Sequence, residues 1–208
     1  MAAKKSGFDA VLARYNERSA KERKFVDENP EELIRRPDDF LLAVGEPTAR
    51  FLCSLIEARE AKRILELGTS YGFSTLFFAD VARRIGGKVT SIDLKPEKQD
   101  YAKEQLAEAG LGDEVEFVAG NVLEVLETLE GPFDFVLLDI WKQAYIPALR
   151  LLLPRLAHNG LIAADNIMYP EITRPEAKAY RQAVRATRRF ETMLLPIGQG
   201  VELSCLWR

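Results

Sequence analysis

The sequence predicts an α/β fold, doubly wound about a mostly parallel seven-stranded sheet. Three observations lead there. Five short apolar runs, most of them ending at an acid or a glycine, recur between residues 64 and 165. Helical stretches separate them, and strand–helix–strand alternation implies parallel strands covered by helices on both faces. Two more apolar runs close the chain with only Gly198-Gln199-Gly200 between them, which favours an antiparallel C-terminal hairpin.

Residues 64–67 form the first predicted strand, stopped by Gly68. Residues 88–92 form the second, ending at Asp93, and residues 115–118 the third. Residues 133–138 end at Asp139 and residues 161–164 end at Asp165. None of these runs keeps a strict apolar–polar alternation along its length, as expected of strands buried on both faces. Residues 73–82 are almost wholly apolar and predict a buried helix. The next helix has Pro96 at its start, Ala102, Leu106 and Ala109 on one face, and Gly110 just past its end. Residues 121–129 and 145–157 complete the helices, with a kink or early end expected at Pro154. The hairpin strands are residues 192–197 and 201–207, at one edge of the sheet.

The first sixty residues read as helical. Phe8, Val11, Leu12 and Tyr15 share one apolar face, and Ala49, Leu52, Leu55 and Ile56 share another. These faces suit an N-terminal cap over the ligand edge or a subunit contact, and a homodimer is expected. A chain of 208 residues suits one domain, here a helical extension over 1–60 and a Rossmann-like core over 61–208.

Composition narrows the function. Apolar residues make up 47% and charged residues 29%, which excludes a disordered tail. No apolar run approaches the roughly 20 residues of a membrane span. The first seven residues carry two lysines and no apolar signal core, so a cytoplasmic protein is expected. A net charge of −3 argues against general nucleic-acid binding. Cys53 and Cys205 are the only cysteines, too few for a disulfide framework or a zinc cluster.

In an open α/β sheet, ligands bind beyond the carboxyl ends of the strands, which singles out Gly68, Asp93, Asp139 and Asp165. The segment from Ile64 through Glu66, Gly68, Thr69, Ser70 and Gly72 to Ser74 is a strand, a tight loop and a helix start. Its two glycines let the backbone bend and a ligand approach closely. Asp93 follows Gly68 by 25 residues, and an acid there can accept hydrogen bonds from both hydroxyls of a ribose. A dinucleotide loop would read G-x-G-x-x-G; this one reads G-x-x-x-G. The missing middle glycine favours a nucleoside cofactor without phosphate, such as S-adenosylmethionine (SAM).

If the fourth and fifth strands are neighbours, Asp139 and Asp165 end about 5 Å apart, beside the carboxamide of Asn166. Two close carboxylates repel unless a cation joins them. All-oxygen ligands suit Mg²⁺ or Ca²⁺. The Lys142 ammonium is the competing counter-ion.

The segments ILELGTSYGFSTLFFA, LLDIWKQAY and LIAADN, with the strand ending in Asp93, resemble the class I SAM-dependent O-methyltransferases. More narrowly they resemble the metal-dependent catechol and caffeoyl-coenzyme A type, from about Phe40 onward. The resemblance implies that Glu66, Gly68, Thr69, Ser70, Gly72 and Ser74 surround SAM, together with Val44, Gly45 and Glu46. It implies Asp93 on the ribose, Gly120 and Asn121 near the adenine, and Asp139, Asp165 and Asn166 on the metal. Lys142 and Asp139 would be catalytic, Lys142 as base for the acceptor hydroxyl, with Phe40, Leu42, Trp141 and Lys142 around the acceptor. The implied acceptor is a small hydroxylated, aromatic molecule.

Two departures from that family stand out. Ile140 replaces the histidine that follows the metal aspartate in the catechol enzymes, and the stretch 191–194 offers no clear substrate-binding acid. A nucleotide-dependent oxidoreductase and a SAM-binding domain acting mainly in a complex are the alternative readings. His158 reads as a turn residue. Arg174, Lys178, Arg181, Arg185 and Arg188 form a basic helix face, either solvated or a contact for an anionic acceptor or a subunit.

Overall fold

The computed structural model describes residues 7–207; the expected absence of a signal core falls largely on the first six residues, outside the described ones. Three helices come first: α1 (Gly7–Glu28), α2 (Pro30–Arg35) and α3 (Glu46–Ala58). Then β1 (Arg63–Leu67), α4 (Phe73–Ile85), β2 (Lys88–Asp93), α5 (Pro96–Ala109) and β3 (Val115–Ala119) alternate. They are followed by α6 (Val122–Thr128), β4 (Phe133–Leu138), α7 (Tyr145–Leu152) and β5 (Leu156–Ala164). The chain closes with α8 (Arg174–Ala186), β6 (Phe190–Leu195) and β7 (Val201–Leu206).

The seven strands order as β3-β2-β1-β4-β5-β7-β6. Strands β1 to β5 run parallel, while β7 lies antiparallel to both β5 and β6. The chain winds outward from β1 in one direction and from β4 in the other. The switch point between β1 and β4 is therefore where a ligand crevice belongs.

Side-chain alternation builds a core on each face. Ile64, Val89, Phe135 and Leu137 pack toward α3 and α4, whereas Leu65, Leu67, Ile92, Val136 and Leu138 pack toward α6, α7 and α8. The predicted apolar face of α1 buries Val11, Leu12 and Tyr15, and Phe8 meets Phe77 edge-on with ring centroids 5.4 Å apart. Ala49, Leu52 and Ile56 of α3 are buried too. Both N-terminal apolar faces thus pack mainly inside the chain, with Phe8 and Leu55 partly buried. No described helix is long and apolar enough to cross a membrane. Cys53 is buried, and burial pushes its thiol up to about 12.

The helix before the fifth strand ends early at Pro154, as expected, whereas the strand itself departs from the sequence reading. The helix stops at Leu152, and Leu153–Arg155, which contains Pro154, forms a 3-10 turn. The strand then starts at Leu156, five residues earlier than predicted. His158 accordingly lies within the strand rather than in a turn. The register shifts where Phe133 pairs with Leu156 and Phe135 with Leu161, and Asn159 takes a left-handed φ of 61° in the excess residues. A local irregularity of this kind mimics a turn in sequence while keeping the ladder.

Candidate active site

Gly68 sits where β1, β2 and β4 end together. Its N–H donates to the Ile92 carbonyl at 2.8 Å, and its φ is +105°. A Cβ there would collide with the Asp139 carbonyl oxygen, so only glycine lets the two strand ends approach. Ser70 turns left-handed at φ 47°, which aims its N–H at Asp93 Oδ2, 2.7 Å away. The Lys95 N–H donates to Asp93 Oδ1 at 2.9 Å. Each oxygen keeps a lone pair, so a half-buried carboxylate of fixed orientation stands at the end of β2. Gly120 donates to the Asp93 carbonyl at 2.9 Å, and the Asn121 side-chain oxygen caps α6 by accepting from Leu123 N–H at 3.0 Å.

Beneath the loop lies a closed polar network. The buried Glu66 carboxylate accepts from Ser74 and Thr75 at 2.6 Å and from Ser91 at 2.5 Å. Burial pushes its pKa up to about 7, while these hydroxyl donors hold it down. Thr69 Oγ1 pairs with Ser91 Oγ at 2.6 Å and accepts from Gln99 Nε2 at 3.0 Å. The polar atoms of Glu66, Thr69 and Ser74 are thereby committed to supporting the loop. Gly72 serves packing, since a Cβ there would lie 2.6 Å from Ala102 Cβ.

The segment 40–45 closes over this loop. Tyr71 donates to the Asp38 carbonyl at 2.9 Å, Lys98 Nζ to Asp38 Oδ1 at 2.8 Å, and Leu41 N–H to Glu22 Oε2 at 2.8 Å. Leu42, Val44, Gly68, Thr69, Ser70, Ser74 and Asp139 line one cleft. Leu41, Ala43 and Phe73 line it as well, and sequence reasoning missed all three. Gly45, at φ 86°, caps α3, and Glu46 is held by Asn16 at 3.1 Å and Arg50 at 2.7 Å.

At the other side of the crevice, Leu138 pairs with Ala164, which brings Asp139 and Asp165 together at adjacent strand ends. Asp165 is fully buried, and neither of its carboxylate oxygens has a partner of good hydrogen-bond geometry, although the neighbouring Asn166 N–H is close enough to favour its charged form. Burial, then the nearby Asp139 charge, raises its pKa well above the carboxylate range. Burial raises Asp139 too, against the pull of Lys142. Lys142 is itself 7% exposed. Its Nζ donates to Tyr145 Oη at 2.6 Å and reaches Asn166 Oδ1 at 3.5 Å. Burial lowers its pKa, and the Asp139 and Asp165 charges oppose that shift.

Tyr145 and Gln199 were not foreseen as site residues. The buried Tyr145 hydroxyl lies 2.9 Å from the Leu138 carbonyl and 3.0 Å from that of Asp165, and its oxygen accepts from Lys142. Asn166 Nδ2 donates to Gln199 Oε1 at 2.7 Å, which turns its Oδ1 toward Lys142. Tyr145 follows Lys142 by one helical turn, a spacing that could have flagged it. Of the expected acceptor wall, Trp141 and Leu42 stand 65% and 51% exposed. Phe40 instead is buried, stacked on Phe25 with centroids 6.2 Å apart.

Among the described residues no group of three or more His, Cys, Asp or Glu is placed to hold a metal. The set here is mixed, two carboxylates and an amide. An orphaned buried carboxylate beside a second acid and an amide oxygen fits a hard divalent cation.

The O-methyltransferase family profile matches residues 16–206. The chain belongs to the O-methyltransferase family. It is 38% identical over 131 residues to a catechol O-methyltransferase of Mycobacterium tuberculosis, covering 61% of this chain and 58% of that protein. With the catechol O-methyltransferase of Niastella koreensis the identity is 31% over 188 residues, covering 81% of this chain and 84% of the relative. Caffeoyl-CoA O-methyltransferase 1 of Eucalyptus globulus is 27% identical over 183 residues, 78% of this chain and 74% of its own. Among solved structures, cofactor-bound Rv0187 from MTB superposes with a TM-score of 0.74 at 28% identity, covering 79% of this chain and 82% of that one. The O-methyltransferase TomG of Streptomyces achromogenes, solved with SAM, shares the fold at a TM-score of 0.78 and 22% identity, over 100% of this chain and 93% of that one. Family membership sets aside the oxidoreductase alternative.

Proposed function

We propose that this chain transfers the methyl group of SAM to a hydroxyl of a small aromatic acceptor of the phenol or catechol type, aided by a divalent cation. The observation that carries this reading is the buried Asp165 carboxylate, with no side-chain partner on either oxygen, beside Asp139 and Asn166 and within the field of Lys142. The relatives named catechol and caffeoyl-CoA O-methyltransferase support the acceptor class, and the fold shared with a SAM complex supports the donor.

In this reading Asp93 receives the ribose hydroxyls. The backbone of Gly68, Thr69 and Ser70 meets the methionine part, and Gly120 and Asn121 border the adenine. Asp139, Asp165 and Asn166 hold the cation, which when bound lowers the pKa of an acceptor hydroxyl. Lys142 takes the acceptor's proton on Nζ, and the lowered basicity that burial gives it suits proton exchange nearer neutral pH. The acceptor oxygen gains the methyl as its bond to sulfur breaks, leaving a neutral thioether. Trp141 and Leu42 flank the mouth. A homodimer in the cytoplasm completes the reading.

Two measurements test it. Asp93→Ala is expected to weaken SAM binding by about 1.5–3 kcal/mol, the worth of charge-assisted hydrogen bonds; calorimetry showing unchanged affinity removes Asp93 from the cofactor site. A methylation screen over phenols and catechols, run with chelator and with Mg²⁺ restored, tests the rest. Chelation is expected to slow transfer by about one to two orders of magnitude while SAM binding persists. Full activity in chelator would leave Lys142 as the sole counter-ion of the two acids.

A further inference from the structure

We infer that Gln199 is a positioning residue for the proposed cation: its hydrogen bond selects which end of the Asn166 carboxamide the cation meets. The inference rests on the cation-assisted reading above and gives a role to the glycine-flanked turn between β6 and β7.

A carboxamide has two ends of nearly equal size, so packing hardly distinguishes them. Only the oxygen has lone pairs to give a cation; the nitrogen end presents two hydrogens. An asparagine ligand therefore needs an outer hydrogen bond to fix its orientation, as other metal ligands do. Asn166 Nδ2 donates to Gln199 Oε1 at 2.7 Å, and Asn166 Oδ1 lies 3.5 Å from Lys142 Nζ on the inner side. The reverse orientation would set Nδ2 against the Lys142 ammonium, donor against donor. The Lys142 contact is long, so the bond to Gln199 is the tighter constraint.

Gln199 is exposed, and it can hold this bond because its backbone is clamped. The Gln199 carbonyl accepts from the Met168 N–H at 2.9 Å and the Tyr169 N–H at 3.2 Å, and the Gly200 carbonyl accepts from the Ile167 N–H at 2.9 Å. A Cβ at Gly200 would collide with Met168, so glycine lets the turn sit this close to the chain leaving Asn166. Asn166 itself lies in the left-handed region at φ 53°, which asparagine tolerates. The main chains on both sides are thus settled, and only the rotamers of the Gln199 side chain remain to be ordered.

The test is a double-mutant cycle on the full chain, read by Mn²⁺ binding in electron paramagnetic resonance and by Mg²⁺ calorimetry. Gln199→Leu is expected to weaken cation binding by about 10- to 100-fold. Gln199→Glu, which keeps an acceptor, should restore most of it. In an Asn166→Asp background both ends of the ligand are oxygens, so orientation no longer matters. There Gln199→Leu should cost about twofold or less, whereas a purely structural Gln199 predicts the same loss in both backgrounds. Equal losses, or unchanged binding in Gln199→Leu, overturn the inference. A parallel loss of SAM affinity overturns it too, because the whole turn would then have moved. If the unaltered protein binds neither cation, the cation-assisted reading is what fails. The Asn166 side-chain amide signal in ¹⁵N–¹H spectra, assigned by its disappearance in Asn166→Asp, then judges the orientation alone. A shifted, faster-exchanging signal in Gln199→Leu upholds the role of Gln199, and an unmoved signal rejects it.

Discussion

Lys142→Met is expected to slow methyl transfer to a weakly acidic phenol by about 10²–10⁴-fold, the usual worth of a positioned general base. The lysine amine is buried and held from two sides, by Tyr145 Oη at 2.6 Å and Asn166 Oδ1 at 3.5 Å. That geometry spends the conformational freedom of a long side chain in advance, so the proton acceptor waits where the hydroxyl must arrive. An acceptor already ionised at the assay pH has no proton to give and should lose much less. Lys142→Arg should fail to rescue the weakly acidic phenol, because a guanidinium stays protonated and cannot accept the proton. A purely electrostatic Lys142 predicts the reverse, with arginine restoring most of the rate on both acceptors. Single-turnover rates for both variants on both phenols decide it, and substantial arginine rescue on the weakly acidic one rejects the base.

The sequence displayed the strand ends better than the surfaces between them. Gly68, Asp93, Asp139 and Asp165 were legible because buried parallel strands are short apolar runs, and the first polar or flexible residue marks the ligand side. Two features resisted for local reasons. The start of β5 hides behind His158-Asn159-Gly160, a turn-like triplet whose ladder is continued only by the pairing of Leu156 with Phe133. Thr69 and Ser74 belong to the loop and helix start after β1, yet their hydroxyls turn inward to Ser91 and Glu66, a choice fixed by a buried carboxylate on β1. Other features resisted because they are tertiary. Gln199 meets Asn166 across 33 residues of chain, and only the return of β7 beside β5 makes them neighbours. The family resemblance implied an acceptor wall at Phe40; in the fold Phe40 is buried and stacked on Phe25, a contact between distant segments.

Asp165→Leu is expected to stabilise the cation-free protein while lowering methyl transfer by at least about 10²-fold. Asp165 is completely buried and neither oxygen has a side-chain partner, so the native state carries a desolvation cost that the Asn166 N–H and the Lys142 charge return only in part. Removing an unsatisfied buried polar group recovers about 1–3 kcal/mol, which is several degrees of melting temperature for a chain of this size. The pH dependence fixes the sign. Burial and the Asp139 charge raise the Asp165 pKa in the folded state. The native protein therefore binds that proton more tightly than the unfolded chain does, and native stability rises as pH falls from the raised value toward the ordinary carboxylate value near 4. The advantage of the leucine variant should accordingly be largest in mildly alkaline buffer and shrink toward pH 5. A divalent cation should reverse the order, raising the melting temperature of the unaltered protein by mass action and leaving the variant unmoved. Thermal melts of both proteins at pH 8.5 and 5.5, in chelator and in Mg²⁺, separate the possibilities. A leucine variant less stable than the unaltered protein under every condition would mean that Asp165 already has its counter-charge within the chain, with Lys142 the only cation near enough to supply it.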